Sequence, residues 1–80
     1  MTTRIEVLGP GCAKCQLLAK NAEEAARALE LDYTLSKVTD LQEIMRRGVM
    51  MTPALAVNGV VLVAGHVLSV DKIRPLLTSV

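Results

Sequence analysis

The chain has 80 residues, 51% of them apolar, and a net charge of +1. That length makes a single domain, residues 1–80, with a small core. Near-neutral charge without a basic run argues against nucleic acid or an anionic membrane as partner, and no segment reaches the ~20 apolar residues of a membrane span.

The N-terminus Met1-Thr2-Thr3-Arg4 lacks the apolar region of a secretion signal, so the expected location is the cytoplasm. There, a cysteine pair is more often catalytic or metal-binding than structural. Thr3 to Leu8 predicts a first strand, interrupted by Arg4 and Glu6. Gly9, Pro10 and Gly11 then break both helix and strand. Ala13 to about Glu30 predicts the clearest helix. Lys20, Glu23, Glu24 and Arg27 form its outward face, and Cys15, Leu18, Ala22, Ala25 and Leu29 its inward stripe. Leu31 to Val38 alternates, with Leu31, Tyr33 and Leu35 against Asp32, Thr34 and Ser36, which predicts a strand with one wet side at a sheet edge. Tyr33 is the only aromatic residue, so the core is aliphatic.

Asp40 and Glu43 make a capping-box pattern before a short helix with Leu41, Ile44 and Met45 facing inward. Arg46 and Arg47 suit its C-terminal dipole and Gly48 its C′ position, so the arginines read as helix-end charges rather than a binding patch. Met50 and Met51 read as core or partial core, with a soft contact surface as the alternative. Ala54 to Val57 and Val60 to Ala64 predict two strands joined by an Asn58-Gly59 hairpin turn and ended by Gly65. Val70, Ile73, Leu77 and Val80 predict a last helix capped by Ser69 or Asp71. With Ser69 as cap, Pro75 lies in its interior; with Asp71, it falls nearer the first turn.

The stretch G-P-G-C-A-K-C-Q holds both cysteines of the chain, Cys12 and Cys15. Cys12 falls at or beside the first helical residue. Orphan backbone N–H groups and the positive end of the helix dipole favour a thiolate there, so its pKa is expected below the free value of about 8.5. Lys14 adds a modulating positive charge. Cys15 continues the buried stripe. That asymmetry suits an attacking thiolate at Cys12 and a resolving thiol at Cys15. Other readings stand beside this one. A structural disulfide over so short a loop adds only roughly 2 kcal/mol. Two thiolates also suit a soft metal such as Cu(I) or Zn(II), or arsenite. Structural zinc takes four ligands, however, and with one histidine, His66, a dimer would have to share them. His66 reads first as an exposed loop residue, with support of the Cys12 thiolate or metal ligation as alternatives.

If the third strand runs antiparallel to the first, Thr52-Pro53 begins at the cysteine end of the sheet. The hairpin then returns Gly65-His66 to the same end. The order β-α-β-α-β-β-α, the C-A-K-C at the first helix and the T-P before the third strand resemble the thioredoxin–glutaredoxin fold. That is a minimal α/β fold with a four-stranded mixed sheet and helices on both faces. G-P-G-C-A-K-C-Q-L together with G-V-M-M-T-P-A-L-A-V-N-G resembles the small thioredoxin-like proteins called redox-active disulfide proteins, across the whole chain.

The resemblance implies a thiol–disulfide oxidoreductase or electron carrier whose redox group is the Cys12–Cys15 pair, with no added cofactor. Cys12 would attack and Cys15 would resolve. Pro53 would follow a cis peptide bond, and Thr52 would offer backbone hydrogen bonds to an extended substrate. A disulfide reductase upstream and a target protein disulfide downstream would be the partners, since no flavin or nicotinamide motif is present. C-A-K-C differs from thioredoxin's C-G-P-C and glutaredoxin's C-P-Y-C, and no aromatic residue flanks it. Glu6 is the weak candidate for an acid beneath the resolving cysteine. Heavy-metal carrier domains also use C-x-x-C, but in the order β-α-β-β-α-β; the second helix, the T-P step and the last helix fit only the thioredoxin order. A partner-binding adaptor with an idle dithiol is the third reading.

Overall fold

Thr3–Leu8 forms β1, the strand on which the sheet is built from both sides. The computed structural model describes residues 2–11 and 13–78. After β1 come α1 (Ala13–Ala28), β2 (Tyr33–Val38), α2 (Leu41–Arg46), β3 (Ala54–Val57), β4 (Val60–Ala64) and α3 (Val70–Thr78). The sheet order is β2-β1-β3-β4. β1 and β2 are parallel, joined by the crossover helix α1, whereas β3 is antiparallel to both β1 and β4. This is the four-stranded mixed sheet of a minimal thioredoxin fold. β2 takes an edge, as its alternation demands. β3 is buried at every position, which suits the unbroken apolar run Ala-Leu-Ala-Val.

Strand alternation divides the core in two. Ile5, Val7, Leu55 and Val57 point to one face, where they pack with Leu18, Ala22, Ala25 and Ala26 of α1 and Ile73 and Leu77 of α3. Leu8, Ala54 and Ala56 point to the other, against Ile44 of α2 and Val49. The alanines of α1 let that helix lie close on the sheet. No helix among the described residues is long and apolar enough to cross a membrane.

Local chemistry sets the element ends. α1 stops at Ala28, two residues before the expected end. Leu31 N–H bonds to Ala26 C=O at 3.0 Å and Glu30 N–H to Arg27 C=O at 3.0 Å, with Glu30 at φ 54°. This is a Schellman cap with a glutamate where glycine is the usual choice. α2 ends the same way, with Gly48 at φ 77° and Val49 N–H on Ile44 C=O. Asp40 caps α2 by accepting from Gln42 N–H at 2.9 Å. Glu43 does not complete the expected reciprocal box; its carboxylate turns to Arg46 and Arg47 instead. At the hairpin, Asn58 and Gly59 both have positive φ. Asn58 also grips β1, its Oδ1 accepting from Arg4 N–H at 2.9 Å. A register shift between Leu55 and Ala56 leaves Leu62 of β4 as the extra residue. Ser69 C=O accepts the first helical bond of α3, from Ile73 N–H, so Ser69 is the cap and Pro75 lies inside the helix. Val80, expected on the stripe of that helix, lies outside the described residues.

The αL strain at Glu30 is removable. Glu30→Gly is expected to raise stability by about 0.5–1 kcal/mol, the αL penalty of a side-chain-bearing residue less the greater entropy of glycine in the unfolded chain. Chemical denaturation of the two proteins checks this, and an unchanged or lowered midpoint would contradict it.

Candidate active site

Leu8 pairs with Ala54 across the β1–β3 ladder. The residues just beyond that pair, Gly9 on one strand and Pro53 and Thr52 on the other, therefore meet at one end of the sheet. Gly9 is tied there by its N–H to Val38 C=O at 2.9 Å. α1 enters above them. Cys12 lies outside the described residues, and so does the attacking role expected of it. Cys15 stands in the first turn of α1, on its inward stripe, and is only 5% exposed.

Gly9 is the residue that admits Cys15. A Cβ on Gly9 would overlap the Cys15 sulfur, come 3.3 Å from Cys15 Cβ and sit 3.7 Å from Thr52 Cβ. Cys15 and Thr52 therefore flank the same point of backbone. In the sequence, Gly9 reads only as part of a tight connection. The closeness of β1's end to the helix could not be seen from the local pattern, although the strand-Gly-Pro-Gly-Cys order was its trace. Gln16 steadies the loop, its Nε2 donating to Gly11 C=O at 3.2 Å.

The Thr52–Pro53 peptide bond is cis. Pro53 is buried and Thr52 exposed. Pro53 C=O accepts from Gly65 N–H at 2.8 Å, which fastens the end of β4 to this step. His66 follows Gly65 and is exposed, as is Lys14 on the first turn of α1. Met51 lies over Gly65, whose added Cβ would come 3.2 Å from both Met51 Cβ and Met51 Cε. The methionines correct the expectation of core filling: Met50 is 94% and Met51 64% exposed. They sit in the loop between α2 and β3, beyond the reach of either core face. With Met45 and Val49, Met50 borders a shallow surface depression.

Glu6 does not lie beneath Cys15. It shares its sheet face with Leu8, opposite the α1 side, and is held by Arg47 in a bidentate pair, Nη1–Oε1 2.8 Å and Nη2–Oε2 2.9 Å. Arg47, expected to serve only as a helix-end charge, reaches across from α2 and also contacts Glu43 at 3.4 Å. The Arg47 hydrogen bonds hold the Glu6 carboxyl below its ordinary value of 4.5, and Glu6 in turn raises Arg47. Among the described residues, no three or more His, Cys, Asp or Glu gather where a metal could be held.

A family model described as a thioredoxin domain matches residues 3–78. A thioredoxin of Methanothermobacter thermautotrophicus is 37% identical over 75 residues, 94% of this chain and 97% of that protein. A thioredoxin of Methanocaldococcus jannaschii is 36% identical over 75 residues, 94% of this chain and 86% of that protein.

Two tests follow from the geometry. Gly9→Ala forces the Cys15 sulfur or the end of β1 to move, and is expected to destabilise the fold by about 1–3 kcal/mol; a denaturation midpoint equal to the parent's would refute the close packing. Glu6, with its folded pKa depressed, stabilises above its unfolded value near 4.5 and loses that contribution as pH falls through the folded value. Glu6→Gln should lower stability by about 1 kcal/mol at pH 7, a figure reduced for the water that still reaches the pair. The deficit should shrink towards pH 3, and a deficit constant from pH 7 to pH 3 would count against the ion pair.

Proposed function

The chain belongs to the thioredoxin domain family, and on that premise we propose that it is a thiol–disulfide oxidoreductase that exchanges a Cys12–Cys15 dithiol with disulfides of partner proteins. The observation that carries this reading is the meeting of Cys15, Gly9 and the Thr52–Pro53 step at one end of the sheet. The chemistry requires such asymmetry. The Cys12 thiolate attacks one sulfur of a partner disulfide, forming a mixed disulfide and expelling the other sulfur as a thiolate. Cys15 loses its proton to water and attacks the Cys12 sulfur. The Cys12–Cys15 disulfide forms, the bond from Cys12 to the partner breaks, and the partner leaves fully reduced. The pair is oxidised by the two electrons the partner gains, and a disulfide reductase restores it.

Thr52, exposed beside buried Cys15, pairs its backbone in this reading with an extended partner segment, a short β-augmentation. The exposed methionines next to Thr52 offer a deformable apolar rim in place of the missing aromatic residue. Lys14 and His66 act at most through charge at the rim of the site. Cytoplasmic work fits this chemistry, because reduced thiols persist there.

The test is reduction of insulin disulfides with dithiothreitol as electron source. The wild-type protein should accelerate precipitation of the insulin B chain. Cys12→Ser should abolish the acceleration, and Cys15→Ser should trap a mixed disulfide through Cys12, visible by mass spectrometry. Metal content is read on the same preparation. Cysteines protected until a chelator removes a stoichiometric metal would replace this reading with the metal-binding one.

A further inference from the structure

Met51 immediately precedes Thr52, the residue that meets Cys15 across Gly9. It is 64% exposed, but its side chain is seated. It folds back over the end of β4: a Cβ added to Gly65 would come 3.2 Å from Met51 Cβ and Cε and 3.5 Å from Met51 Sδ. Gly65, at φ 83°, carries no side chain to fill that space, and the thioether lies over it. Gly65 N–H is already committed to Pro53 C=O at 2.8 Å. Met51 therefore faces water on one side and rests on bare backbone on the other, one residue from the step that an incoming partner would line. Met45 and Met50 are more exposed still, at 72% and 94%. They border the depression beside Gly48 and Val49 instead, at the end of α2.

We propose that Met51 is a modification site: oxidation of its thioether by a hydroperoxide blocks the docking of partner proteins and leaves the dithiol able to react. This rests on the dithiol-exchange reading above. The sulfur lone pair attacks the terminal peroxide oxygen. An S–O bond forms, the O–O bond breaks, and the hydroxyl proton passes to the departing oxygen, which leaves as water or an alcohol. The sulfur is oxidised by two electrons and the peroxide is reduced by the same two. While Cys12 and Cys15 are joined as a disulfide they offer the peroxide no thiol, so the exposed thioethers are the groups that react. The product is polar where the parent was apolar. The nearest backbone donor cannot satisfy the new oxygen, because Gly65 N–H serves Pro53. The oxidised side chain holds water over Gly65, and an apolar partner segment must displace that water to reach Thr52.

The disulfide form of the full chain is treated with hydrogen peroxide, freed of it, and mapped by mass spectrometry. Met50 and Met51 should each gain an oxygen. Reduction of insulin with dithiothreitol as electron source should then be about fivefold slower than before treatment. Reaction of the reduced protein with 5,5′-dithiobis(2-nitrobenzoate), a small disulfide that needs no docked segment, should be unchanged. Met51→Leu, which keeps an apolar side chain, should retain its insulin activity through the same treatment. Met50→Leu should lose activity as the wild type does. Insulin turnover unaffected by full conversion of Met51 overturns the inference while leaving dithiol exchange intact. So does a Met51→Leu protein that loses as much as the wild type, or a Met51 that stays unoxidised while Met50 is converted. An equal loss towards the small disulfide also overturns it, because the damage then lies at the dithiol. Failure of the untreated wild-type protein to reduce insulin overturns the exchange reading, and this inference with it.

Discussion

Leu8 stands opposite Ala54, and from that antiparallel contact the geometry of the whole site descends. Pairing β3 beside β1 in this register turns the end of one strand towards the start of the other, so residues more than forty positions apart share one edge. α1 must then begin where β1 ends, with only Gly9, Pro10 and Gly11 to reverse the chain. Its first buried side chain, Cys15, is pressed onto the backbone it has just left, and a glycine is the residue that permits this. A different register would separate Thr52 from Cys15 whatever the sequence of either segment.

The sheet also sorts charge. Successive residues of a strand serve opposite faces, so Glu6 and Val7 are neighbours in the chain but not in environment. Glu6 falls on the α2 side and is matched there by Arg47, an anion paired with a cation. Lys37, paired in register with Val7, falls on the α1 side of the sheet and is exposed.

Much of this was legible in the residues. Asn58-Gly59 demands a tight hairpin, the spacing of Cys15, Leu18, Ala22 and Ala25 demands a helix with one buried face, and Asp40 announces the start of α2. These are signals read over a few residues. What escaped depends on distant partners. α1 ends early because Glu30 accepts a left-handed conformation that glycine normally marks, so the helical pattern runs on past the true cap. Arg47 looks like a helix-end charge until the fold brings Glu6 within 2.8 Å. Met50 and Met51 look apolar enough for a core, yet the chain passes between the faces there and leaves both in solvent. Gly9 looks like a turn former because its neighbours are, and only the placement of α1 reveals the contact it makes room for.

The two faces of the sheet are unequal in depth. The α1–α3 face is a continuous apolar mass, whereas the α2 face rests on two alanines, a leucine, Ile44 and Val49. Local opening releases more easily where less apolar surface must be uncovered. The six-residue α2 and the methionine loop therefore form the low-stability unit of the fold, able to exchange amide hydrogens without global unfolding. That unit leads directly into Thr52. The segment beside the buried sulfur can change its shape while α1 and the central strands keep Cys15 in place.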